Sequence, residues 1–86
     1  MGELAKLPNI GKVLENKLHK VGIETSSDLV VFGSKVSFER IHKMDEDACL
    51  NTLYALEGAI QGVRWHGLDL DKKEELKDFY DTHFKK

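Results

Sequence analysis

The chain carries one proline, one cysteine and one tryptophan in 86 residues, and no long apolar run. Each scarcity excludes something. A lone Cys49 forms no intrachain disulfide, which fits a reducing compartment. No apolar stretch approaches the roughly 20 residues of a membrane-spanning helix, and no signal-peptide pattern opens the chain. Met1-Gly2 is followed by Lys6 where a myristoylation signal has Ser or Thr. The expectation is a cytoplasmic protein without a membrane partner. Low-complexity tracts and internal repeats are missing too. A length of 86 residues then bounds one small domain, 1–86, with a modest core. With a single proline, and with Val, Ile and Thr scattered among Leu, Lys and Glu, composition leans helical.

An excess of positive charge is also absent. Hydrophobic residues make 41% and charged residues 33%, ordinary for a soluble domain, and the net charge is −2. Nucleic-acid binders are usually basic overall, so strong nonspecific affinity for DNA is not expected. The charge is nonetheless uneven. Residues 1–43 hold seven Lys/Arg against five Asp/Glu, or +2; residues 44–86 hold six against ten, or −4. A local phosphate site fits the first half; a long basic groove does not.

What is present is helical patterning. After one short turn near Glu3 to Lys6, a Leu7-Pro8-Asn9-Ile10-Gly11 hairpin leads into a helix over about Ile10 to Lys20. Ile10, Leu14, Leu18 and Val21 share one face, and Gly22 suits the left-handed position after the last turn. A helix from Thr25 opens with a capping box to Asp28 and stops at Gly33. Ser34 caps the next, which carries Val36, Ile41 and Met44, with Phe38 on that face or at its edge. The longest helix starts at Asp45 as N-cap. Cys49, Leu53, Leu56, Ile60 and Val63 form its core stripe, at spacings of four and three. Gly58 and Gly62 inside it cost about 1 kcal/mol each relative to Ala. With Ala55 and Ala59 they make a small-residue patch that predicts close approach of another helix. Asp71, boxed with Glu74, caps a last helix bearing Leu76, Phe79, Tyr80 and Phe84, with Lys85 and Lys86 suiting its terminal dipole. The reading is an all-α single domain of about five helices opening with a helix-hairpin-helix-like element.

Three stretches carry a family resemblance: Leu7-Pro8-Asn9-Ile10-Gly11-Lys12, then Val21-Gly22-Ile23, then the long block from Cys49 through Tyr54, Gly58 and Gly62 to Trp65-His66. Over about Leu4 to Phe79 the chain resembles the C-terminal domain of the TfoX/Sxy competence-regulator family. The resemblance implies a small all-helical domain that follows a separate N-terminal domain in two-domain members. It also implies a part in regulating natural transformation, together with the cyclic-AMP receptor protein at competence promoters. The chain departs from the two-domain arrangement, reading as a stand-alone C-terminal domain. No catalytic residue set comes with the family.

Each candidate site has two readings. Backbone N–H groups at Asn9, Ile10, Gly11 and Lys12, with Lys6 nearby, form a place for a DNA phosphate at a helix N-terminus. Equally, Asn9 caps the helix and Ile10 plugs the core. DNA-binding hairpins of this kind carry Gly-hydrophobic-Gly, and Asn9 stands at the first Gly. Lys17, Lys20, Lys35, Arg40 and Lys43 either widen a phosphate face or solvate helices. Arg64 and Trp65 form a protein-interaction anchor, or Trp65 closes the core while His66 binds a helix-terminal carbonyl and Arg64 pairs with Glu57 or Asp69. Phe79, Tyr80 and Phe84 either close the core or join a dimer or partner surface. His19, His42, His66 and His83 show no metal-ligand spacing, Cys49 reads as a small buried hydrophobe, and Asp45-Glu46-Asp47 lacks the ligand and Gly spacing of a calcium loop.

No convergent acid, base, nucleophile or metal set points to an enzyme, a cofactor or a small-molecule substrate. The function expected is a noncatalytic regulatory module acting through a protein partner or self-association. The alternative is weak DNA-backbone binding through the hairpin around Pro8 to Lys12.

Overall fold

In the computed structural model, which describes residues 3–84, the chain folds into four α-helices: α1 (Lys12–Lys20), α2 (Ser26–Met44), α3 (Leu50–Gln61) and α4 (Leu70–His83). Two single 3-10 turns, Leu4–Lys6 and Trp65–Gly67, complete the regular structure, and no strand occurs among the described residues. The expected dipole role of Lys85 and Lys86 and the Met1-Gly2 motif lie outside the described residues.

The count of four, not five, comes from Gly33. It takes φ 79° and ψ 165°, non-helical values that interrupt the helix where expected, and the two stretches on either side join at this kink as the arms of α2. The expected cap Ser34 is buried beyond the kink and donates its hydroxyl to Glu57 Oε1 of α3 at 2.7 Å. The start of α2 follows the sequence. Asp28 N–H donates to Thr25 Oγ1 at 3.0 Å, and Asp28 Oδ2 accepts from the Thr25 N–H at 3.2 Å, a complete capping box.

Two other caps differ from expectation. Asp45 closes α2 rather than opening α3, whose N-cap is Cys49. Cys49 is therefore exposed, and the neighbouring Ala48 enters the core in its place. Helix α4 begins one residue before Asp71, with Asp69 as N-cap and no side-chain cap bond. Helix α1 starts at Lys12, leaving Ile10 in the hairpin, where it is buried ahead of the helix. The segment before the hairpin is a single 3-10 turn, so two α-helices do not flank the hairpin.

Glycine ends both α1 and α3 in the same way. Gly22 (φ 89°) and Gly62 (φ 77°) take the left-handed conformation. Ile23 N–H then reaches Leu18 O at 2.9 Å, and Val63 N–H reaches Gly58 O at 2.9 Å. These are Schellman closures, in which a Cβ at the glycine would be strained. Gly62 is thus a stop signal, not an interior residue of α3.

The core draws on all four helices, the first 3-10 turn and the loops: Leu4, Ile10, Leu18, Ile23, Leu29, Phe38, Ile41, Leu53, Leu56, Leu68 and Leu76 are all buried. Phe38 and Ile41, not Val36 or Met44, are the inward apolar residues of the second arm of α2; the latter two are exposed. Val63 likewise falls outside the α3 stripe. Helices α2 and α3 pack along each other. Helix α4 lies over α3 and sets Phe79, Tyr80 and Phe84 against the core edge. Phe38 meets the Phe84 ring edge-on, with centroids 5.0 Å apart, a favoured aromatic geometry.

Candidate functional site

The hairpin was the first candidate. Its Asn9 takes φ 70°, a left-handed conformation that Asn tolerates better than most side chains. Its carboxamide turns inward. Nδ2 donates to Val63 O at 2.9 Å and lies 3.5 Å from Ala55 O, while Oδ1 accepts from the Trp65 N–H at 3.1 Å. One side chain thereby bolts the hairpin to the C-terminal end of α3, more than 50 residues away in sequence. Gly58 makes this approach feasible. A Cβ there would sit 2.5 Å from Asn9 Nδ2, 2.7 Å from Val63 O and 3.2 Å from Trp65 Cα. The small-residue patch was expected to receive another helix. At Gly58 the close neighbours are instead the hairpin side chain and the chain leaving α3.

The opposite face of the hairpin is open. Helix α1 has Gly11 as N-cap and α3 has Cys49, and neither helix has a side-chain cap bond. The first turns of both helices line one groove of about 470 Å³, with Lys12, Val13 and Leu14 on one wall and Asn51, Thr52 and Ala55 on the other. Gly11 has nothing within 4 Å of a notional Cβ, so an approaching group finds clear access. First-turn N–H groups without a side-chain cap and the positive end of the dipole meet here from two helices.

The basic side chains are less available than their number suggests. Lys17, at the groove, pairs with Asp45. The Lys17 hydrogen bond, with a second from the Asp47 N–H, holds the Asp45 carboxyl below its usual range. Lys35 pairs with Glu75 at 2.7 Å. Arg40 donates to Val21 O at 3.1 Å and lies over the Phe32 ring at 4.4 Å. Lys12 is exposed in the groove and Lys6 is exposed outside it, neither in an ion pair among the described residues. Sequence reasoning had no view of these partners. It also missed Glu15, which is buried in α1 and accepts the Ala5 N–H at 3.1 Å, tying the first turn to that helix.

The second set of candidates splits in two. Trp65 is half-buried against the core, stacked on Tyr54 (5.6 Å, 19°) and covered by His66 (3.9 Å, 27°). His66 contributes its ring to this stack, while its backbone oxygen accepts from Lys73 Nζ at 3.2 Å. Arg64 is exposed and pairs with neither Glu57 nor Asp69. Phe79, Tyr80 and Phe84 belong to a separate ring cluster with Phe38 and His42. Among the described residues no three His, Cys, Asp or Glu side chains converge to hold a metal ion. No described helix is long and apolar enough to cross a membrane.

The model of the TfoX C-terminal domain family matches residues 1–80. The chain belongs to this family. Among curated proteins, Protein Sxy of Escherichia coli (strain K12) is 32% identical over 79 residues. The alignment covers 92% of this chain and 38% of Sxy, so the chain spans about two fifths of that relative's length. Two solved structures from Listeria monocytogenes share the fold. A triclinic crystal form of an uncharacterized protein superposes with a TM-score of 0.91 at 57% identity, covering 92% of this chain and 90% of that one. A tetragonal form of a protein of unknown function gives 0.88 at 56% identity, covering 91% and 96%. The TfoX C-terminal domain thus accounts for nearly all of the described chain.

Proposed function

We propose that this TfoX C-terminal domain is a noncatalytic regulatory module of the competence-regulator kind, working through contacts with a protein partner or a second copy. The observation that carries this reading is the internal engagement of the groups a nucleic acid would need. The Asn9 carboxamide binds α3, Ile10 is buried, and Lys17, Lys35 and Arg40 hold protein partners. Apolar side chains, by contrast, remain available: Val13 in the groove is 70% exposed and Val31 on α2 is 82% exposed. Sedimentation over a wide concentration range tests self-association, and crosslinking through a photoreactive residue at position 13 or 31 tests partner contact. Mass rising with concentration, or a specific crosslinked product, supports the reading. A strict monomer without such a product rejects it.

A second reading, weak binding of the DNA backbone, draws on the two helix N-termini that share the groove with Lys12. Titration of isotope-labelled protein with a short duplex at two salt concentrations tests it. Shifts at Gly11, Lys12 and Val13 that fade with salt, and that Lys12→Ala abolishes without altering stability, favour the phosphate reading. Unchanged amides at low salt reject it.

A further inference from the structure

We infer that the cavity between the end of α2 and the end of α4 is a binding site for an arginine side chain presented by a protein partner. This rests on, and gives chemistry to, the protein-contact reading above. The cavity measures about 350 Å³ and is walled by His42, Glu46, Asp47, Tyr80 and Phe84. Two kinds of group meet there. The aromatic side is a packed ring cluster: Phe84 lies 4.6 Å from His42, 5.0 Å from Phe38 and 6.0 Å from Tyr80, centroid to centroid. Phe38 is fully buried beneath it, so the rings stand on the core and hold their orientation. The acidic side is the turn between α2 and α3. In the run Asp45-Glu46-Asp47, Lys17 neutralises Asp45, while Glu46 and Asp47 enter no ion pair among the described residues.

Aromatic side chains beside carboxylates that enter no described ion pair favour an organic cation. The ring quadrupole attracts positive charge at its face, and a guanidinium adds a planar fork that matches a carboxylate. An anion would meet two carboxylates that no described Lys or Arg pairs with. His42, Glu46 and Asp47 line the cavity without converging into a group that could hold a metal ion. A lysine ammonium satisfies the charge but neither stacks nor forks. The same chain already makes the guanidinium–ring contact internally, where Arg40 lies 4.4 Å over Phe32. The turn that carries the carboxylates has a fixed backbone: the Asp47 N–H donates to Asp45 Oδ1 at 3.0 Å, and Asp45 is tied to α1 through Lys17.

The test is a titration of the isotope-labelled full chain with Nα-acetyl-arginine amide, followed by NMR, beside the uncharged isostere Nα-acetyl-citrulline amide. The expected result is saturable shifts confined to His42, Glu46, Asp47, Tyr80 and Phe84, with a Kd of roughly 1–10 mM for a lone side chain. The citrulline compound should give none. The exposed double substitution Glu46→Gln with Asp47→Asn should weaken arginine binding by about tenfold or more while the remaining spectrum stays folded. A linear response without saturation, an equal response to citrulline, or full binding by the double variant would overturn the inference. If arginine amide fails while mass in solution still rises with concentration, the cation site is lost and the protein-contact reading stands. If both fail, both are lost.

Discussion

The two ends of α3 have opposite characters. At the C-terminal end the chain is closed on itself. Gly62 completes a Schellman turn, Asn9 crosses from the hairpin to engage Val63 and Trp65, and Gly58 leaves no space for even a methyl group. At the N-terminal end Cys49 caps nothing with its side chain, and Asn51 and Thr52 open onto the groove shared with α1. The closed end is held by neutral amide bonds and steric fit. The open end is organised from the side by the Lys17–Asp45 ion pair. The residues that look most unusual in the sequence, Asn9, Gly58 and Trp65, belong to the closed end and explain the architecture. A binding role must be sought where the chain leaves its own groups unsatisfied.

The sharpest way to break this contrast is Gly58→Ala. In an ordinary helix interior the change would gain about 1 kcal/mol. Here the new Cβ would fall 2.5 Å from Asn9 Nδ2 and 2.7 Å from a backbone oxygen, so overpacking wins. We expect a loss of about 3 kcal/mol or more in urea unfolding; a gain would show that the closed end is not close-fitted.

Asn9→Ala comes next, at about 2–3 kcal/mol, because it leaves Val63 O and the Trp65 N–H without partners and places a Cβ-bearing residue without a compensating side chain at positive φ. Asn9→Gly relieves the backbone part alone and should recover about 1 kcal/mol of that loss. Equal stability of the two variants would mean that the left-handed conformation contributes nothing.

Acid separates the two ends by a different route. Lys17 lowers the Asp45 carboxyl, the Ser26 backbone and hydroxyl lower Glu3, and Lys35 with Lys72 lowers Glu75. A carboxylate depressed in the folded state contributes stability that is fully present above its unfolded value, about pH 4, and is lost as pH falls through the lower folded value. The amide bonds of Asn9 do not titrate. Hydrogen exchange measured from about pH 5 to about pH 3 should therefore show the amides that donate back into the first turn of α3, beginning with Leu53 to Cys49 O, losing protection before those of its last turn. Simultaneous loss at both ends would remove the distinction.

The smallest effect is a gain. Ser at the N-cap accepts from the first-turn N–H groups, so Cys49→Ser should raise stability by about 0.5 kcal/mol and show the same sign in thermal melts. No gain would mean that those N–H groups are already satisfied.

Local patterning carried much of the fold. The Thr25–Asp28 box, the Gly22 stop after α1 and the apolar positions Leu18, Leu29, Ile41, Leu53, Leu56 and Leu76 were readable because each depends on neighbours within a turn or two. Errors arose where two local signals competed. Asp45 has the chemistry of an N-cap, but the chain uses it to close α2 and to bind Lys17, which moves the start of α3 to Cys49 and turns that thiol outward. Gly33 reads as a stop, and its backbone does leave helical values; the chain then runs straight into the second arm of α2, where Ser34 bonds Glu57 instead of serving as a cap.

The sequence by itself determined an all-helical chain, the end of α1, the start of α2 and many of the inward residues, because capping, glycine conformation and hydrophobic period act over a few residues. It also contained the TfoX C-terminal signature. Tertiary structure alone decided what the signature residues do. The partners of Asn9 lie 54 and 56 positions along the chain, the groove joins helices from opposite halves, and the ring-and-carboxylate cavity draws on α2, α4 and a turn. Contacts over such separations leave no periodic trace, so only the folded chain reveals which polar groups are satisfied and which are left to meet a partner.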